Sequence, residues 1–587
     1  MHLPRVSVPM SIQITRGRWL GQLPALARGL AIALGAVHTW TAITQYSMNA
    51  DGIAYLDMAD AYLRGDWRAA INPVWSPLYS WVLGPVLRLV QPTMRWEFAV
   101  VQLVNFAIYL GALACFEFYW RQVMRCAQTR ATSEVAGGGL TLPGWSWPLL
   151  GYALFIWTAL SLIEIWSVTP DMLLAALVYL GAGLVLRIRQ GRAASITFAM
   201  LGVVLGLAYL AKAVMFPLAL ILLGISLLSA PRPWRAAPLA LAGLAGFAVF
   251  SAPYIAAISQ AKGRLTLGEA GRLTYVRYVN GVAYPHWQGV PPETGVPLHP
   301  SRKILNQPPI YEFATPIAGT YPISYDPSYW YEGVAPRYDA GDLASATLRS
   351  ALFYFDLFFR QQGMLLLGVL VLYSMSSWPP LNAHGLVHRW GLAIFALAAF
   401  GLYALVYVEG RYIGAFETLL WGDLIGNIRL PDVPVWRRLA AWLSGAMLVF
   451  MLMSILAFNL EGLNTLVGGE AAAPGDNQPA PAPSWPGDVA EELHRLGIQA
   501  GDSVAVIGHG FDAYWARLAR VRIVAEMLGT QAGLFWTGDA ATQAQVIGAF
   551  AASGAQAIVA EDAPRYAVLP HWHRVGDTNY YIYLLDE

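Results

Sequence analysis

Ser76-Pro77-Leu78-Tyr79-Ser80-Trp81-Val82-Leu83-Gly84-Pro85-Val86-Leu87-Arg88 decides how this chain sits relative to a membrane. The stretch is apolar, but proline bounds and interrupts it and arginine closes it. A helix needs about 20 apolar residues to cross a bilayer. Read as a span, the stretch moves every later arginine-rich turn to the outer side, against the tendency of arginine to stay in cytoplasmic loops. Read as partly embedded, it leaves those turns inside. The second reading is adopted here.

About eleven spans follow from it. They cover about 29–46, 97–119, 147–166, 172–187, 195–211, 213–229, 236–258, 350–376, 390–408, 413–428 and 439–460. Arg5, Arg16, Arg18 and Arg28 hold the N-terminus inside, and Arg121, Arg187, Arg232, Arg389 and Arg437 mark later inner turns. Leu20 to Tyr46 has basic flanks and no cleavage-like site, so it reads as a retained first span.

Composition agrees. Of 587 residues, 57% are apolar and 12% charged, against roughly 45–50% and about 25% in soluble proteins. A net charge of +1 gives no case for nucleic-acid binding. Two cysteines, Cys115 and Cys126, make neither a disulfide framework nor a cysteine metal site. The chain is mainly α, a polytopic membrane helix bundle occupying 1–467, with extracytoplasmic loops at about 47–95 and 259–348.

The long loop 259–348 is rich in Tyr, Trp, Pro and Gly, as in Tyr325-Asp-Pro-Ser-Tyr-Trp-Tyr-Glu. Its aromatic content argues for order, and its length for function, as a cover over a site. A Pro/Ala/Gly linker, 468–487, leads to a small extracytoplasmic α/β domain, 488–587. There Ser503-Val-Ala-Val-Ile-Gly and Ala557-Ile-Val-Ala read as buried strands, and 489–496 and 541–552 as helices, which suggests a parallel sheet. Gly508-His-Gly510 reads as a tight turn rather than a nucleotide site.

Outward from the opening stretch lies Asp51-Gly-Ile-Ala-Tyr-Leu-Asp57-Met-Ala-Asp60-Ala-Tyr-Leu-Arg64. As a helix it puts Asp57, Asp60 and Arg64 on one face and Ile53, Leu56, Ala59 and Leu63 on another, which suits a helix on the membrane surface. Asp57, Asp60 and Asp66 read as solvated or capping. Asp51, nearest the hydrocarbon, reads either as a helix cap or as a reactive carboxylate.

The arginines that fix the orientation also bring Asp51, Asp171, Lys212 and Arg411 to the outer ends of spans. Ionisable groups there are anchors or functional. Lysine occurs only at Lys212, Lys262 and Lys303. Lys212 interrupts an apolar stretch, so it is either a turn residue or a point charge for a phosphate. Asp171 follows Thr169-Pro170 and suits a helix dipole, or a divalent cation (Mg, Mn or Zn) with Glu164 as a second ligand. Glu164 could instead be buried one turn into the bundle.

These motifs resemble the GT-C superfamily of polyprenyl-phosphate-sugar-dependent glycosyltransferases, in the branch of protein O-mannosyltransferases and lipid A aminoarabinose transferases. The resemblance covers about 30–430. It rests on Asp51 with Tyr55, on Ser76-Pro77-Leu78-Tyr79, on Thr169-Pro-Asp171, on Gly206-Leu-Ala-Tyr-Leu-Ala-Lys212 and on Glu409-Gly-Arg411-Tyr412. Family members often carry Asp-Glu where this chain has Asp51-Gly52.

The resemblance implies a polyprenyl-phosphate sugar donor in the outer leaflet of a plasma or inner membrane. It implies inverting transfer to a glycan, lipid or protein acceptor. Asp51 would be the general base, and Lys212, Arg411 and Tyr412 would hold the donor phosphate. Asp171 and Glu164 would meet a metal or the acceptor, and Tyr55 and Tyr79 are further candidates.

Two other classes compete. A secondary transporter would place ionisable groups at mid-membrane, whereas here the polar groups lie at span ends. A non-catalytic scaffold or sensor would act through 488–587, and deletion of that segment would then separate it from an enzyme.

Overall fold

The computed structural model describes residues 10–46, 48–131, 140–191, 195–282, 286, 301–313, 315, 317, 319–326, 334–376, 383–467, 485–561, 563 and 570–585. Most of the aromatic stretch after Tyr325 and of the 468–487 linker lies outside the described residues.

The chain opens with α1 (Met10–Gln45), α2 (Ala50–Arg64), the one-turn α3 (Trp67–Ala70), α4 (Leu78–Val90) and α5 (Met94–Ala131). Next come α6 (Ser146–Trp157), which ends in a π-helical turn over Thr158–Leu162, then α7 (Asp171–Arg189), α8 (Ser195–Ala211), α9 (Met215–Ser229) and α10 (Pro233–Lys262). The segment after α10 carries α11 (Ala270–Tyr278), a hairpin of β1 (Arg302–Asn306) and β2 (Pro309–Glu312), and α12 (Pro322–Tyr325). The bundle resumes with α13 (Ala340–Phe355), a second π-helical turn (Asp356–Gln361), α14 (Gly363–Ser374), α15 (Ala383–Ala404), α16 (Gly410–Gly426) and α17 (Pro434–Val467). The C-terminal part runs α18 (Pro486–Arg495), β3 (Ser503–Gly508), α19 (Tyr514–Leu518), β4 (Arg522–Leu528), α20 (Gly529–Trp536), α21 (Ala540–Ala552), β5 (Ala557–Glu561), β6 (Trp572–Arg574) and β7 (Tyr580–Leu584).

The protein is an integral, multi-pass membrane protein built mainly of helices. Each of the eleven stretches expected to span coincides with a helix or a helix pair. Among the described residues, six helices (α1, α5, α7, α10, α15 and α17) are long and apolar enough to cross a membrane. The apolar helices α8 and α9 have 17 and 15 residues, which is about 23–25 Å at 1.5 Å per residue, short of a hydrocarbon core of about 30 Å. The helix in the opening stretch, α4, has 13 residues. It ends where Gln91 turns left-handed, at φ 46°.

The expected straight span at 350–376 is broken instead: α13 and α14 meet at 80°. The cause is local. Gln362, at the break, is pulled inward, where its Nε2 donates to Glu417 Oε1 at 2.7 Å and its Oε1 accepts from Trp421 Nε1 at 2.7 Å. The π-helical turn before it absorbs the resulting change of direction. Elsewhere the bundle closes on small residues. A Cβ at Gly202 of α8 would lie 1.9 Å from the Gly243 carbonyl oxygen of α10, so the two backbones touch as small residues permit in a membrane.

The C-terminal sheet has seven strands in the order β1-β2-β4-β3-β5-β7-β6. Only its centre, β4-β3-β5, is parallel. The expectation of a parallel sheet therefore holds for three strands, and the edges are antiparallel. The hairpin from the long loop supplies one edge, with Tyr311 opposite Glu526 and Glu312 opposite Ala525. The loop and the C-terminal segment thus share a sheet. They share a core as well, since Ile53, Leu56 and Met58 of α2 and Phe98 of α5 belong to one apolar cluster with Val489, Tyr514, Trp515 and Ile523.

That cluster overturns the surface-helix reading of α2, in which Ile53, Ala54, Tyr55, Leu56, Met58 and Ala59 are all buried. Deleting 488–587 would expose this core and leave β2 without its partner β4. It is no longer a clean test between scaffold and enzyme.

Candidate active site

The site begins at the first turn of α2. Its N-cap is Asn49 rather than Asp51, so the capping explanation of Asp51 fails. The Asn49 side chain is turned to the segment before α7, where Oδ1 accepts from the Val168 N–H at 2.9 Å and Nδ2 donates to the Val168 carbonyl at 3.4 Å. Two amides of α5 hold the same segment: Gln102 Nε2 donates to the Trp166 carbonyl at 2.7 Å, and Asn105 Nδ2 to the Ser167 carbonyl at 3.3 Å. The starts of α2 and α7 are thereby fixed against each other, and Asp51 and Asp171 with them.

Gly52 explains the departure from the family pattern. A Cβ there would lie 2.7 Å from both Met48 Sδ and Val168 Cβ. The pinned Val168 occupies the place of a side chain, so a second carboxylate has no room. Gly52→Ala is expected to cost about 1–3 kcal/mol by overpacking, measurable as a lowered midpoint in thermal unfolding of the purified protein.

Asp51 Oδ2 accepts from Arg411 Nη1 at 3.0 Å, and Arg411 Nε donates to Glu409 Oε2 at 2.6 Å. Lys212, in the turn between α8 and α9, forms an ion pair with Asp171 at the first position of α7. The Lys212 ammonium also stands 3.9 Å over the Tyr412 ring centroid, and the Arg411 guanidinium carbon lies 5.2 Å from it, both within cation–π range. Tyr403 stacks on Tyr412, with ring centroids 5.3 Å apart. Five separate segments (α2, α7, the α8–α9 turn, α15 and the start of α16) therefore bring two cations, three carboxylates and an aromatic pair to one end of the bundle.

Donor capacity remains after these contacts. Arg411 uses Nε and Nη1, which leaves Nη2, and an ammonium has three N–H groups. The buried Asp171 Oδ2 and Tyr403 hydroxyl receive or make no hydrogen bond among the described residues.

Of the other sequence candidates, Tyr55 is buried in α2 edge-on to Trp75 and Tyr79, with ring centroids 5.3 Å away in both cases. Tyr79 is turned into the protein, its hydroxyl donating at 2.6 Å to Asn105 Oδ1, the same side chain that holds the Ser167 carbonyl. Glu164 is exposed rather than buried in the bundle, at φ 59° between the π-helical turn and α7. Among the described residues no three His, Cys, Asp or Glu side chains form a group able to hold a metal ion. Asp51, Asp171 and Glu409 each face an arginine or lysine instead. These residues do not fit a divalent metal.

Sequence reasoning gave no role to Glu409 or Tyr403, although Glu409 sits two residues before Arg411. It also missed two acids inside the bundle, which correct the statement that polar groups lie at span ends. Glu417 is fully buried and accepts from Thr158 Oγ1 at 2.9 Å as well as from Gln362. Asp423, six residues further along α16, accepts from the Ala393 N–H at 3.0 Å.

No protein-family model and no curated protein matches the chain. Solved structures do. ArnT from Cupriavidus metallidurans in the apo state is 14% identical over 94% of this chain and 96% of that one, with a TM-score of 0.48. The same protein bound to undecaprenyl phosphate gives 13%, 94%, 97% and 0.46. The Archaeoglobus fulgidus oligosaccharyltransferase tethered with an acceptor peptide is 12% identical over 92% of this chain and 69% of that one, with a TM-score of 0.46. The chain is similar along most of its length to solved structures of ArnT and of an archaeal oligosaccharyltransferase.

Proposed function

We propose that the protein is a membrane glycosyltransferase that moves a sugar from a polyprenyl-phosphate donor to an acceptor hydroxyl on the extracytoplasmic side, with inversion. The observation that carries this reading is the meeting of Asp51 with Arg411 and of Asp171 with Lys212 around Tyr412. Counting α6, α8, α9, α16 and the bent α13–α14 pair as crossing, with α4 only embedded, gives eleven spans. With arginine-rich turns inside, this cluster and the C-terminal domain face outward.

In the reaction the acceptor oxygen attacks the anomeric carbon, and the bond from that carbon to the phosphate oxygen breaks. The departing polyprenyl phosphate keeps the electron pair, and the hydroxyl proton passes to the Asp51 carboxylate. A single displacement inverts the anomeric centre.

Arg411 links the two halves of this chemistry. While it holds Asp51 Oδ2, that lone pair is engaged. A donor phosphate that draws Arg411 away offsets its own charge and frees Asp51 to act as base. Lys212, with its compact ammonium at the edge of the cluster, meets the same phosphate. The aromatic segment after α10 supplies surface for the sugar. The acceptor, whether glycan, lipid or protein, enters beside Asp51.

Lys212→Ala is expected to weaken binding of polyprenyl phosphate by about tenfold or more, the loss of one charge-assisted contact. Isothermal titration of the protein in nanodiscs reads this. Unchanged affinity would remove Lys212 from the phosphate site.

Glu417 and Asp423 are the observations that favour a transporter, since buried acids inside a bundle often mark an ion path. Substrate-dependent uptake into vesicles by the purified protein would favour that reading. Both acids are hydrogen-bonded within the bundle, Glu417 by Thr158 and Gln362 and Asp423 by the Ala393 amide and Asn427, and the Arg189 charge also acts on Asp423. That is what a fixed structural network requires.

A further inference from the structure

Arg517 lies in α19, near the end of the chain, yet its side chain is only 2% exposed. It reaches three carboxylates. Nη1 donates to Asp57 Oδ1 at 2.7 Å and to Asp60 Oδ2 at 3.0 Å, and Nε donates to Glu97 Oε1 at 3.0 Å. Arg520 doubles the outer edge, with contacts of 2.6 Å to Asp60 and 2.9 Å to Glu97. Thr320 of the long loop closes the inner edge: its N–H donates to Asp57 Oδ2 at 2.6 Å and its hydroxyl to Oδ1 at 3.0 Å. Thus α2, α5, the long loop and the C-terminal domain all converge on these charges.

We infer that Arg517 is a positioning residue for transfer, fixing the rotation and depth of α2 so that Asp51 meets Arg411. Asp57 lies six residues beyond Asp51, about 9 Å along the helix axis. The apolar contacts of α2 with Tyr514 and Trp515 hold the helix down but resist sliding weakly. A planar guanidinium with three carboxylates at set angles does not permit it. The C-terminal domain, whose role the sequence leaves open, is by this inference part of the catalytic unit without touching the reacting atoms. The consequence for rate rests on the reading of Asp51 as base; the clamp on α2 does not.

Arg517→Lys in the full-length protein in nanodiscs tests it, because lysine keeps the charge but cannot reach three carboxylates in a fork. Two quantities are read: hydrogen exchange of the α2 amides over 51–62, and transfer kinetics. The expected result is exchange about tenfold faster and kcat lower by about tenfold to a hundredfold, as a misplaced base would give. The KM for donor should stay the same or fall, since Lys212 is in place and Arg411 is held less firmly by Asp51. If Arg517→Lys fails to fold, Asp60→Asn serves. It keeps Arg517 and two carboxylates and should raise α2 exchange by about threefold.

Wild-type α2 exchange and kcat in a folded variant would overturn the inference. Faster exchange in a protein that transfers no sugar in any form would uphold the clamp and overturn the reading of Asp51.

Discussion

Asp51→Asn is expected to lower sugar transfer by about 10²–10⁴-fold, the usual worth of a general base, with expression and fold intact. The substitution isolates the proton. Asparagine is nearly isosteric, and its Oδ1 can still accept from Arg411 Nη1, which in the native site lies 3.0 Å from Asp51 Oδ2. The turn that carries the residue is held by Asn49 and Val168, which the change does not touch. What is lost is the ability to take the acceptor's proton. Donor affinity should be retained or rise, because Arg411 is released from a competing negative charge. Transfer kinetics against titrated donor separate the two effects. Transfer within about threefold of wild type would remove Asp51 from the role of base.

Arg517→Met is expected to destabilise the protein by about 3–5 kcal/mol, the cost of stranding buried charges. Burial by itself disfavours the arginine's charge, but Glu97, Asp60 and Asp57 more than offset this and hold its pKa well above the ordinary value. Burial likewise pushes Asp57 up, against the pull of Arg517 and Thr320. Asp60 is also pushed up by burial, yet Arg517 and Arg520 hold it below the usual range.

The sign of the pH effect follows. In the native protein Asp60, with its folded pKa depressed, contributes stability above its unfolded pKa, and that contribution is lost as pH falls through the folded value. Without Arg517, Asp57 rises further. Its cost is then smallest where it is protonated and grows as pH rises through the raised folded pKa. The deficit of Arg517→Met should therefore be larger at pH 8 than at about pH 5. Adding Asp57→Asn, Asp60→Asn and Glu97→Gln should recover most of it. Chemical unfolding at the two pH values checks both statements; a deficit independent of pH would show that packing, not charge, sets the loss.

The helices were legible because apolar runs of this length have one use. The strands 503–508 and 557–561 and the helices α18 and α21 were legible for the same local reason, a hydrophobic period that names its own element. The partner of Asp57 and Asp60 was not. It lies some 460 residues later in the chain, and an isolated Asp-x-x-Asp on a helix looks the same whether water or Arg517 faces it. Nor was the hairpin β1–β2: its nine or so residues carry no sign that their partner strand is β4. Gln362 hid the break between α13 and α14 because a single polar residue in an apolar run does not announce that it turns inward.

At the site, the sequence named Asp51, Asp171, Lys212 and Arg411 from their places at span ends, and in the fold they form two ion pairs. It did not reveal that Asp51 and Arg411 hold each other. In the proposed mechanism that pairing makes donor binding a precondition for Asp51 to act, and a linear sequence has no way to express it.

The most direct measurement is transfer by the purified protein in nanodiscs from a panel of polyprenyl-phosphate sugars to candidate acceptors, read by mass spectrometry. The result expected is an acceptor heavier by one sugar residue for at least one donor, with the product lost in Asp51→Asn. No transfer from any donor, together with substrate uptake into vesicles that depends on Glu417, would contradict it.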